Sequence, residues 1–354
     1  MMRPERKRAG LLLIALIGST IAAACKRPES VSCSPFGDPP AALFSNWVPK
    51  CNKGVLLGPW KDRDGIERHA CLYEPADVSS AKPLPLVVFI HPSLFPADVL
   101  EHWTNLLDHL ATANLSGDPA RPGLILLAPE GRDIHHYYPP PDASGLGWDN
   151  WYRQFDPGGD ITRDGHLYAK NVDATAIDHF IAEEVATGKV DRDRIYLAGW
   201  SNGGAMAYAY GLNRPNIAAA AIYSAPDPYH LALDSCPQQP VATAPSVDTQ
   251  LQIINPHLAT YQVHNSCDIA GICPNIGFFL GQLRALGSDA SDVIIDHDQN
   301  QVDRCDDSCG TSIEGDLSNF NAATHGALNH LRWPDKWTAK MLDFLRDHPL
   351  KKNS

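Results

Sequence analysis

Ser201 has the sequence surroundings in this chain that best suit nucleophilic chemistry. It lies in Gly199-Trp200-Ser201-Asn202-Gly203, between the apolar run "RIYLAG" and the small-residue stretch "GAMAYAYGL". A strand that turns sharply into a helix would expose the hydroxyl at the bend, and Gly-x-Ser-x-Gly in that context is a nucleophile elbow. Glycine permits the strained, close-packed backbone that such a turn needs. An ordinary glycine-rich turn is the alternative.

A serine hydroxyl is a weak nucleophile unless a base removes its proton. When the nucleophile sits on such an elbow, the acid and the histidine follow it along the chain. Asp268 comes shortly after the apolar run "TYQVHN" and is the predicted acid. Two histidines, His325 and His330, precede the last helical pattern, and their positions alone do not choose between them.

Short apolar runs bounded by turn residues predict the framework that would hold these groups. Such runs are typical of strands buried on both faces of a mostly parallel sheet. They occupy 85–90, 124–128, 194–199, 218–224 and 260–265. Helical periodicity between Val172 and Gly188 and again over 335–348 predicts helices, so the fold class is α/β with helices on both faces of the central sheet.

Several of these segments together resemble one family. "GWSNGG", the segment 171–199, "HNSCD" and "NHLRWP" look like the extracellular esterases related to polyhydroxybutyrate depolymerases and bacterial feruloyl esterases. The entry segment "DGIERHACLYEP" is similar to the first strands of that family. The resemblance spans about 62–348 and implies an α/β-hydrolase fold and a serine esterase.

The resemblance also implies roles for individual residues. Asp268 falls at the position of the family's catalytic acid, and His330, shortly before Trp333-Pro334, falls at that of its histidine. The oxyanion hole would take backbone N–H groups from Asn202 and from the loop after the first buried strand. That loop has His91-Pro92 where the family has His-Gly, and proline has no N–H, so Ser93, or else Leu94, is the predicted second donor.

The segment 130–165 is long and rich in aromatic residues, which is typical of a functional loop. Trp148, Trp151 and Trp200 are the predicted substrate-binding residues, with scaffold packing as the alternative for the first two. No metal site and no cofactor is predicted. "DPGGDITRDG" lacks the spacing of a recognised calcium loop, and the aspartates between 296 and 307 suit a solvated surface.

The N-terminus is typical of an export signal. A basic head precedes the apolar run "AGLLLIALIGSTIAAA", and Cys25 follows it, as in a bacterial lipobox. Residues 1–24 are therefore predicted to be a signal peptide, 25–53 a tether and 54–354 the catalytic domain. A lipid on Cys25 would attach the protein to a membrane; plain secretion is the alternative.

Cysteine count agrees with export. Eight cysteines besides Cys25 allow up to four disulfides, and their spacing does not match a zinc site. Two pairs, Cys267–Cys273 and Cys305–Cys309, are close enough in sequence to close small loops. The eight disulfide candidates are Cys33, Cys51, Cys71, Cys236, Cys267, Cys273, Cys305 and Cys309.

A net charge of −12 argues against a nucleic-acid partner, which needs a basic surface. The expected partner is a small or oligomeric ester. Two other functions are compatible with the same sequence. One is a peptidase of the same fold, for which no peptide-terminus recognition motif is visible. The other is a binding lipoprotein that has lost catalysis through the change at Pro92.

Overall fold

The computed structural model describes ten segments of the chain, and every structural statement below concerns these residues. The segments are 48–63, 65–93, 95–132, 147–148, 161–163, 166–168, 171–228, 253–269, 272–306 and 326–351.

A nine-stranded sheet forms the centre of the molecule, and a separate two-stranded hairpin lies outside it. Along the sheet the order is β1-β2-β4-β3-β7-β8-β9-β10-β11, and the hairpin is β5-β6. The strands are β1 Val55–Lys61, β2 Glu67–Tyr73, β3 Leu84–Ile90, β4 Ile125–Pro129, β5 Ile161–Arg163, β6 His166–Tyr168, β7 Val190–Trp200, β8 Ala219–Tyr223, β9 Ala259–Asn265, β10 Ala290–Ile295 and β11 Gln301–Val302.

The six central strands pair in parallel, from β4 through β3, β7, β8 and β9 to β10. Antiparallel pairs occur only towards the two edges, between β1 and β2, β2 and β4, and β10 and β11. Parallel neighbours need crossover connections. In the described residues, helices lie in the connections from β3 to β4, from β7 to β8 and from β9 to β10. The architecture is an α/β-hydrolase fold, as predicted.

Helices cover both faces of this sheet. They are α1 Leu100–Trp103, α2 Val172–Ala186, α3 Asn202–Gly211, α4 Ile272–Ala285 and α5 Thr338–Asp347. Short 3₁₀ turns occupy Ala97–Val99 and Leu106–His109, and residues 326–330 are also helical.

Strand β3 shows how one strand serves two cores. Leu86, Val88 and Ile90 belong to the apolar cluster that also contains residues of α2, α3 and α4. Val87 and Phe89 belong to the opposite cluster, which contains residues of α1 and α5. Because side chains alternate along a strand, a continuous apolar run buries both faces. This is why "PLVVFI" contains no polar residue.

Helix α2 has clear signals at both ends. The Asn171 side chain accepts a hydrogen bond from the backbone N–H of Ala174 at 2.7 Å, which caps the first turn. Gly188 adopts a φ of +76° just beyond the helix, a backbone conformation that favours glycine. The helix predicted from the spacing of apolar residues is therefore confirmed with nearly the same limits.

The N-terminal part of the described chain is held firmly against the domain. A disulfide joins Cys51 to Cys71 in β2. The Lys50 backbone N–H donates to Asp98, and the Lys53 backbone N–H donates to Glu101 at 3.0 Å. The domain therefore begins before residue 54, and residues 50–53 are not part of a free tether. Among the described helices, none is both long and apolar enough to cross a membrane.

The disulfides differ from the pairs that short sequence spacing suggested. Cys273 pairs with Cys305, which contradicts both predicted small loops, Cys267–Cys273 and Cys305–Cys309. The bond links the start of α4 to the segment after β11. The pairing is therefore decided by which segments lie close together in the fold, and not by their distance in the sequence. Cys267 is disulfide-bonded as well. The remaining predicted cysteines, Cys25, Cys33, Cys236 and Cys309, lie outside the described residues.

Candidate active site

The candidate site lies where the central parallel strands end. His91, Glu130 and Ser201 follow β3, β4 and β7, and Asp268 comes three residues after β9. In open α/β sheets, the carboxyl ends of the strands form the edge at which ligands bind. Residues that are far apart in the sequence therefore meet at a single edge.

Ser201 occupies a strained turn between β7 and α3. Its backbone has φ 57° and ψ −126°, although it is not glycine. Its N–H donates to the Tyr223 carbonyl at 3.0 Å, and α3 starts at the next residue. A non-glycine residue in this region persists only where the surrounding structure enforces it, and such residues cluster at functional sites. The predicted strand, turn and helix are all present.

The glycines beside Ser201 are required by close backbone packing. A Cβ on Gly203 would overlap the carbonyl oxygens of Ile90 and His91. A Cβ on Gly199 would lie 2.6 Å from the Cα of Gly204. Because these positions have no side chain, Gly203 can pack against the end of β3 and Gly199 against the first turn of α3.

Ser201, His330 and Asp268 form a continuous hydrogen-bonded chain. The Ser201 hydroxyl lies 2.7 Å from His330 Nε2, and His330 Nδ1 lies 2.7 Å from Asp268 Oδ1. A carboxylate can only accept, so Nδ1 carries the proton, and Nε2 accepts from the Ser201 hydroxyl. Asp268 is buried and also accepts from the Ile269 N–H at 2.8 Å. The serine is thus placed beside a base whose tautomer is set by the acid.

The histidine is held from its backbone. The indole Nε1–H of Trp200 donates to the His330 carbonyl at 2.9 Å, and the Asn329 side chain donates to the Cys267 carbonyl at 3.0 Å. The structure thus brings His330 to Ser201, as predicted from the Trp333-Pro334 pair. His325 lies outside the described residues.

Buried polar contacts hold the loop that contains the predicted oxyanion donor Ser93. His91 is fully buried; its Nε2 accepts from the Gly131 N–H at 2.8 Å, and its Nδ1–H donates to the Pro92 carbonyl at 2.9 Å. Trp148 Nε1–H donates to the His91 carbonyl at 2.8 Å. Burial lowers the pKa of His91 to about 4, so the ring is neutral, as this pattern of one donor and one acceptor requires.

Glu130 supports the far end of the same loop. Its Oε2 accepts from the Ala97 N–H at 2.6 Å, and its Oε1 lies 3.9 Å from His91 Nε2. Burial raises the pKa of Glu130 well above its ordinary value. Burial thus disfavours the charged form of both the Glu130 carboxyl group and the neighbouring His91 imidazole beneath the loop.

The two predicted oxyanion residues approach each other at Gly147. A Cβ on Gly147 would lie 3.7 Å from both Asn202 Oδ1 and Ser93 Oγ. The Asn202 side chain also accepts from the Trp148 N–H at 2.9 Å. Residue 94, the alternative donor, is outside the described residues. One short contact region therefore joins the nucleophile turn, the His91–Ser93 loop and residues 147–148.

The tryptophans do not have the predicted arrangement. Trp200 is fully buried, and Trp148 is 3 % exposed. Both use their indole N–H to hold a backbone carbonyl of the site, at His330 and His91 respectively. We therefore correct the substrate-binding prediction for Trp200 and Trp148, whose rings leave no surface for a ligand; scaffold packing was the alternative for Trp148. Trp151 lies outside the described residues.

A buried ionic network fixes the chain that leads out of β4. Arg68 Nη2 lies 2.5 Å from Asp173 Oδ1 and donates to the Glu130 carbonyl at 3.0 Å. The Arg132 N–H donates to the same aspartate at 2.9 Å, and its guanidinium lies 3.3 Å from Asp62. Opposite charges and backbone donors compensate the cost of burying these ions. Sequence inspection missed this network because its members are scattered from residue 62 to residue 173.

Among the described residues, no group of three or more His, Cys, Asp or Glu side chains is arranged to hold a metal ion.

The chain is similar in structure to several solved esterases, at low sequence identity. A thermostable esterase matches with a TM-score of 0.47 and 15 % identity, over 84 % of this chain and 64 % of that chain. The propionate-bound Est2 esterase of the Planctomycetes species Thermogutta terrifontis matches with a TM-score of 0.43 and 14 % identity, over 70 % of this chain and 85 % of that one. An acetyl xylan esterase from Aspergillus awamori has a TM-score of 0.39 and 17 % identity, over 61 % and 73 %.

The alignment thus spans less than two thirds of the thermostable esterase's length. No family model matches the chain, and no curated protein matches it in sequence.

Proposed function

We propose that this protein is an exported serine esterase that hydrolyses carboxylic esters through Ser201, His330 and Asp268. One observation carries the proposal: the three side chains form an unbroken hydrogen-bonded chain, and its hydroxyl end sits on a strained turn at the start of a helix. Ser-His-Asp function is recognised from this geometry and these roles. The ester preference rests on the resemblance to the depolymerase and feruloyl esterase family.

In the proposed reaction, Ser201 Oγ attacks the ester carbonyl carbon while its proton moves to His330 Nε2. The carbonyl π-bond opens to an oxyanion, which the N–H groups of Asn202 and Ser93 stabilise. His330 then gives the proton to the departing alkoxide, so that the alcohol leaves and an acyl-serine remains. Water repeats the sequence and releases the acid, and Asp268 stabilises the imidazolium in both halves.

The substrate class follows from the family resemblance. The proposed substrates are feruloyl, acetyl and hydroxyalkanoate esters, because the enzymes of the family that this chain resembles act on esters of these kinds.

Export is proposed on two grounds. Disulfides such as Cys51–Cys71 and Cys273–Cys305 persist in oxidising compartments. The first 24 residues have the organisation of a signal peptide, and Cys25 has the position of a lipidated cysteine. Mass spectrometry of the mature N-terminus, with Cys25→Ser as control, tests both parts. An acylated Cys25 supports the lipoprotein; a free N-terminus near residue 25 leaves a plainly secreted protein.

The activity is tested with short p-nitrophenyl esters and methyl hydroxycinnamates, comparing the purified mature chain with Ser201→Ala. We expect kcat to fall on the order of 10⁶-fold, because the nucleophile is removed. Ser288→Ala is the matched control: Ser288 is also buried, and its hydroxyl donates to the Leu258 carbonyl at 2.5 Å near the opposite edge of the sheet.

Each alternative function has its own outcome. Labelling of Ser201 by a fluorophosphonate without ester turnover would keep the nucleophile and overturn the substrate class. Faster cleavage of peptide p-nitroanilides than of esters would favour the peptidase. If neither turnover nor labelling occurs in the folded protein, the binding lipoprotein replaces the esterase.

A further inference from the structure

We infer that Ser224 is a positioning residue of the site, whose hydroxyl fixes the direction of the Asp268 carboxylate. The inference rests on the proposed function, because the role concerns the same triad. Sequence inspection did not single out this serine. It comes directly after β8, whose last residue is Tyr223.

Ser224 contacts the carboxylate oxygen that His330 does not use. The Ser224 hydroxyl lies 2.5 Å from Asp268 Oδ2, whereas His330 Nδ1 lies 2.7 Å from Oδ1. Each oxygen therefore has its own donor. A carboxylate held at both oxygens cannot rotate about its Cβ–Cγ bond without losing a charge-assisted hydrogen bond.

Asn265 settles which way the Ser224 hydroxyl points. The Asn265 Nδ2 group lies 2.9 Å from both Ser224 Oγ and the Tyr223 hydroxyl, and 3.3 Å from Asp268 Oδ2. An amide nitrogen can only donate, so Ser224 Oγ accepts there and has its proton available for the carboxylate. The arrangement makes Ser224 a donor to Asp268.

The backbone of Ser224 supports a role for its side chain. Its φ is +45°, a conformation that favours glycine, and the residue is fully buried. Glycine would relieve the backbone strain at this position. A serine held there against this preference suggests that the hydroxyl itself is needed.

The preceding residue connects the same point to the other two triad members. The Tyr223 carbonyl accepts from the Ser201 N–H, and the Tyr223 hydroxyl lies 2.7 Å from the Asn329 carbonyl, next to His330. Burial and the nearby Asp268 raise the pKa of Tyr223, so its hydroxyl keeps its proton and donates. The dipeptide Tyr223-Ser224 therefore contacts the nucleophile, the histidine loop and the acid, and it fixes the positions of all three relative to one another.

The test compares Ser224→Gly with Ser224→Ala in the full mature chain. Glycine removes the hydroxyl and accepts the positive φ, whereas alanine removes the hydroxyl and keeps the strain. We expect both variants to lower kcat about tenfold, which is the effect of one hydrogen bond to a charged group, with little change in KM. The kcat values are calculated per reactive serine, as titrated with a fluorophosphonate, so that unfolded protein does not lower them.

A second readout does not depend on turnover. The proton between His330 Nδ1 and Asp268 gives a far-downfield ¹H NMR resonance, assigned by its loss in His330→Gln. We expect this resonance to shift or broaden in both Ser224 variants and to stay in place in Ser288→Ala. If Ser224 had only a structural role, its replacement would lower the melting temperature but would leave this resonance in place.

The outcomes separate the two proposals. If Ser224→Gly keeps kcat within twofold and leaves the resonance unchanged, the positioning role is overturned. If wild type does not hydrolyse esters but the resonance shifts in Ser224→Gly, the proposed function fails while the contact to Asp268 stands.

Discussion

The two sides of Ser201 are built from different kinds of group. On one side stand side chains, His330 and Asp268, whose residue types define their chemistry. On the other side lies the proposed oxyanion hole, which would consist of the backbone N–H groups of Asn202 and Ser93 and would depend only on the conformation of the chain. The chemistry of the first side is determined by residue type. The chemistry of the second side is determined by the contacts that hold the loop in place.

The supporting contacts differ in the same way. The triad side is fixed by hydrogen bonds to the functional atoms themselves, such as that from Ile269 N–H to Asp268 Oδ1. The oxyanion side is fixed from beneath, through His91, Glu130 and Trp148, none of which is proposed to touch substrate. Pro92 has no N–H to donate, so the buried residues below decide where the N–H of Ser93 points.

The largest expected effect is on the triad side. Asp268→Asn would place an amide donor against His330 Nδ1, so the imidazole would carry its proton on Nε2 and could no longer accept from Ser201. We expect kcat to fall about 10⁴-fold. Asp292→Asn is the control, because Asp292 lies 3.1 Å from buried His264 in another His–Asp pair. Equal losses in the two variants would show that the effect is general and not specific to the triad.

The next largest effect concerns His91, beneath the proposed oxyanion loop, and is a change of the free energy of unfolding with pH. The pKa of His91 is lowered from 6.5 to about 4, so the unfolded chain takes up a proton first as the pH falls. Stability from the neutral ring is complete above pH 6.5 and is lost progressively towards pH 4, by about 3 kcal/mol in total. His91→Gln lacks this loss. Urea unfolding of both proteins across this range measures the difference, and parallel curves would contradict the neutral buried ring.

A smaller effect is expected from Trp148→Phe. The change removes the donor to the His91 carbonyl but keeps the backbone bond from residue 148 to Asn202. We expect kcat to fall about tenfold, with a stability loss of about 1 kcal/mol. Trp337→Phe is matched to it, because the Trp337 Nε1–H also donates to a backbone carbonyl, that of Gln299. Similar melting temperatures with different kcat values would place the effect in the oxyanion loop.

The smallest effect is expected from Pro92→Ala, which restores an N–H at the position where the resembling family has glycine. If Ser93 supplies the second oxyanion donor, kcat should stay within about threefold of wild type, since the Pro92 carbonyl contact with His91 is kept. Steady-state rates on the same p-nitrophenyl esters decide. A rise in kcat of more than tenfold would indicate that the N–H at position 92 of the variant, and not that of Ser93, is the better second oxyanion donor.

The sequence predicted best what depends on residue type and short spacing. Ser201, Asp268 and His330, which the structure brings into one hydrogen-bonded chain, were singled out because each lies after a predicted strand or before the Trp333-Pro334 pair. The five buried strands were found because a short, uninterrupted apolar run between turn residues is typical of a strand buried on both faces.

Two of the elements that the sequence did not reveal, α4 and β10, show physical reasons for this. Helix α4 contains Gly277 and Gly281, which weaken the helical signal. Strand β10 includes Ser291 and Asp292, because it lies near an edge of the sheet and is only partly buried. Neither pattern stands out from a loop.

Contacts between distant residues that belong to no recognised motif could not be predicted. Ser224 and Asn265 meet Asp268 only because β8 and β9 lie side by side. The partner of Cys273 depends on where β11 ends. Trp200 was predicted to bind substrate, yet as the last residue of the central strand β7 it is fully buried in the core.

The link between Cys51 and Cys71 also has a mechanical consequence. Tension applied to the chain from its N-terminal side first meets the hydrogen bond from Lys50 to Asp98. It then passes through the Cys51–Cys71 disulfide into β2, which pairs with β1 and β4. Strand β7, which carries the nucleophile turn, lies three positions farther along the sheet. A pull on this end is therefore borne by the edge of the sheet, and the geometry around Ser201 is shielded from the load.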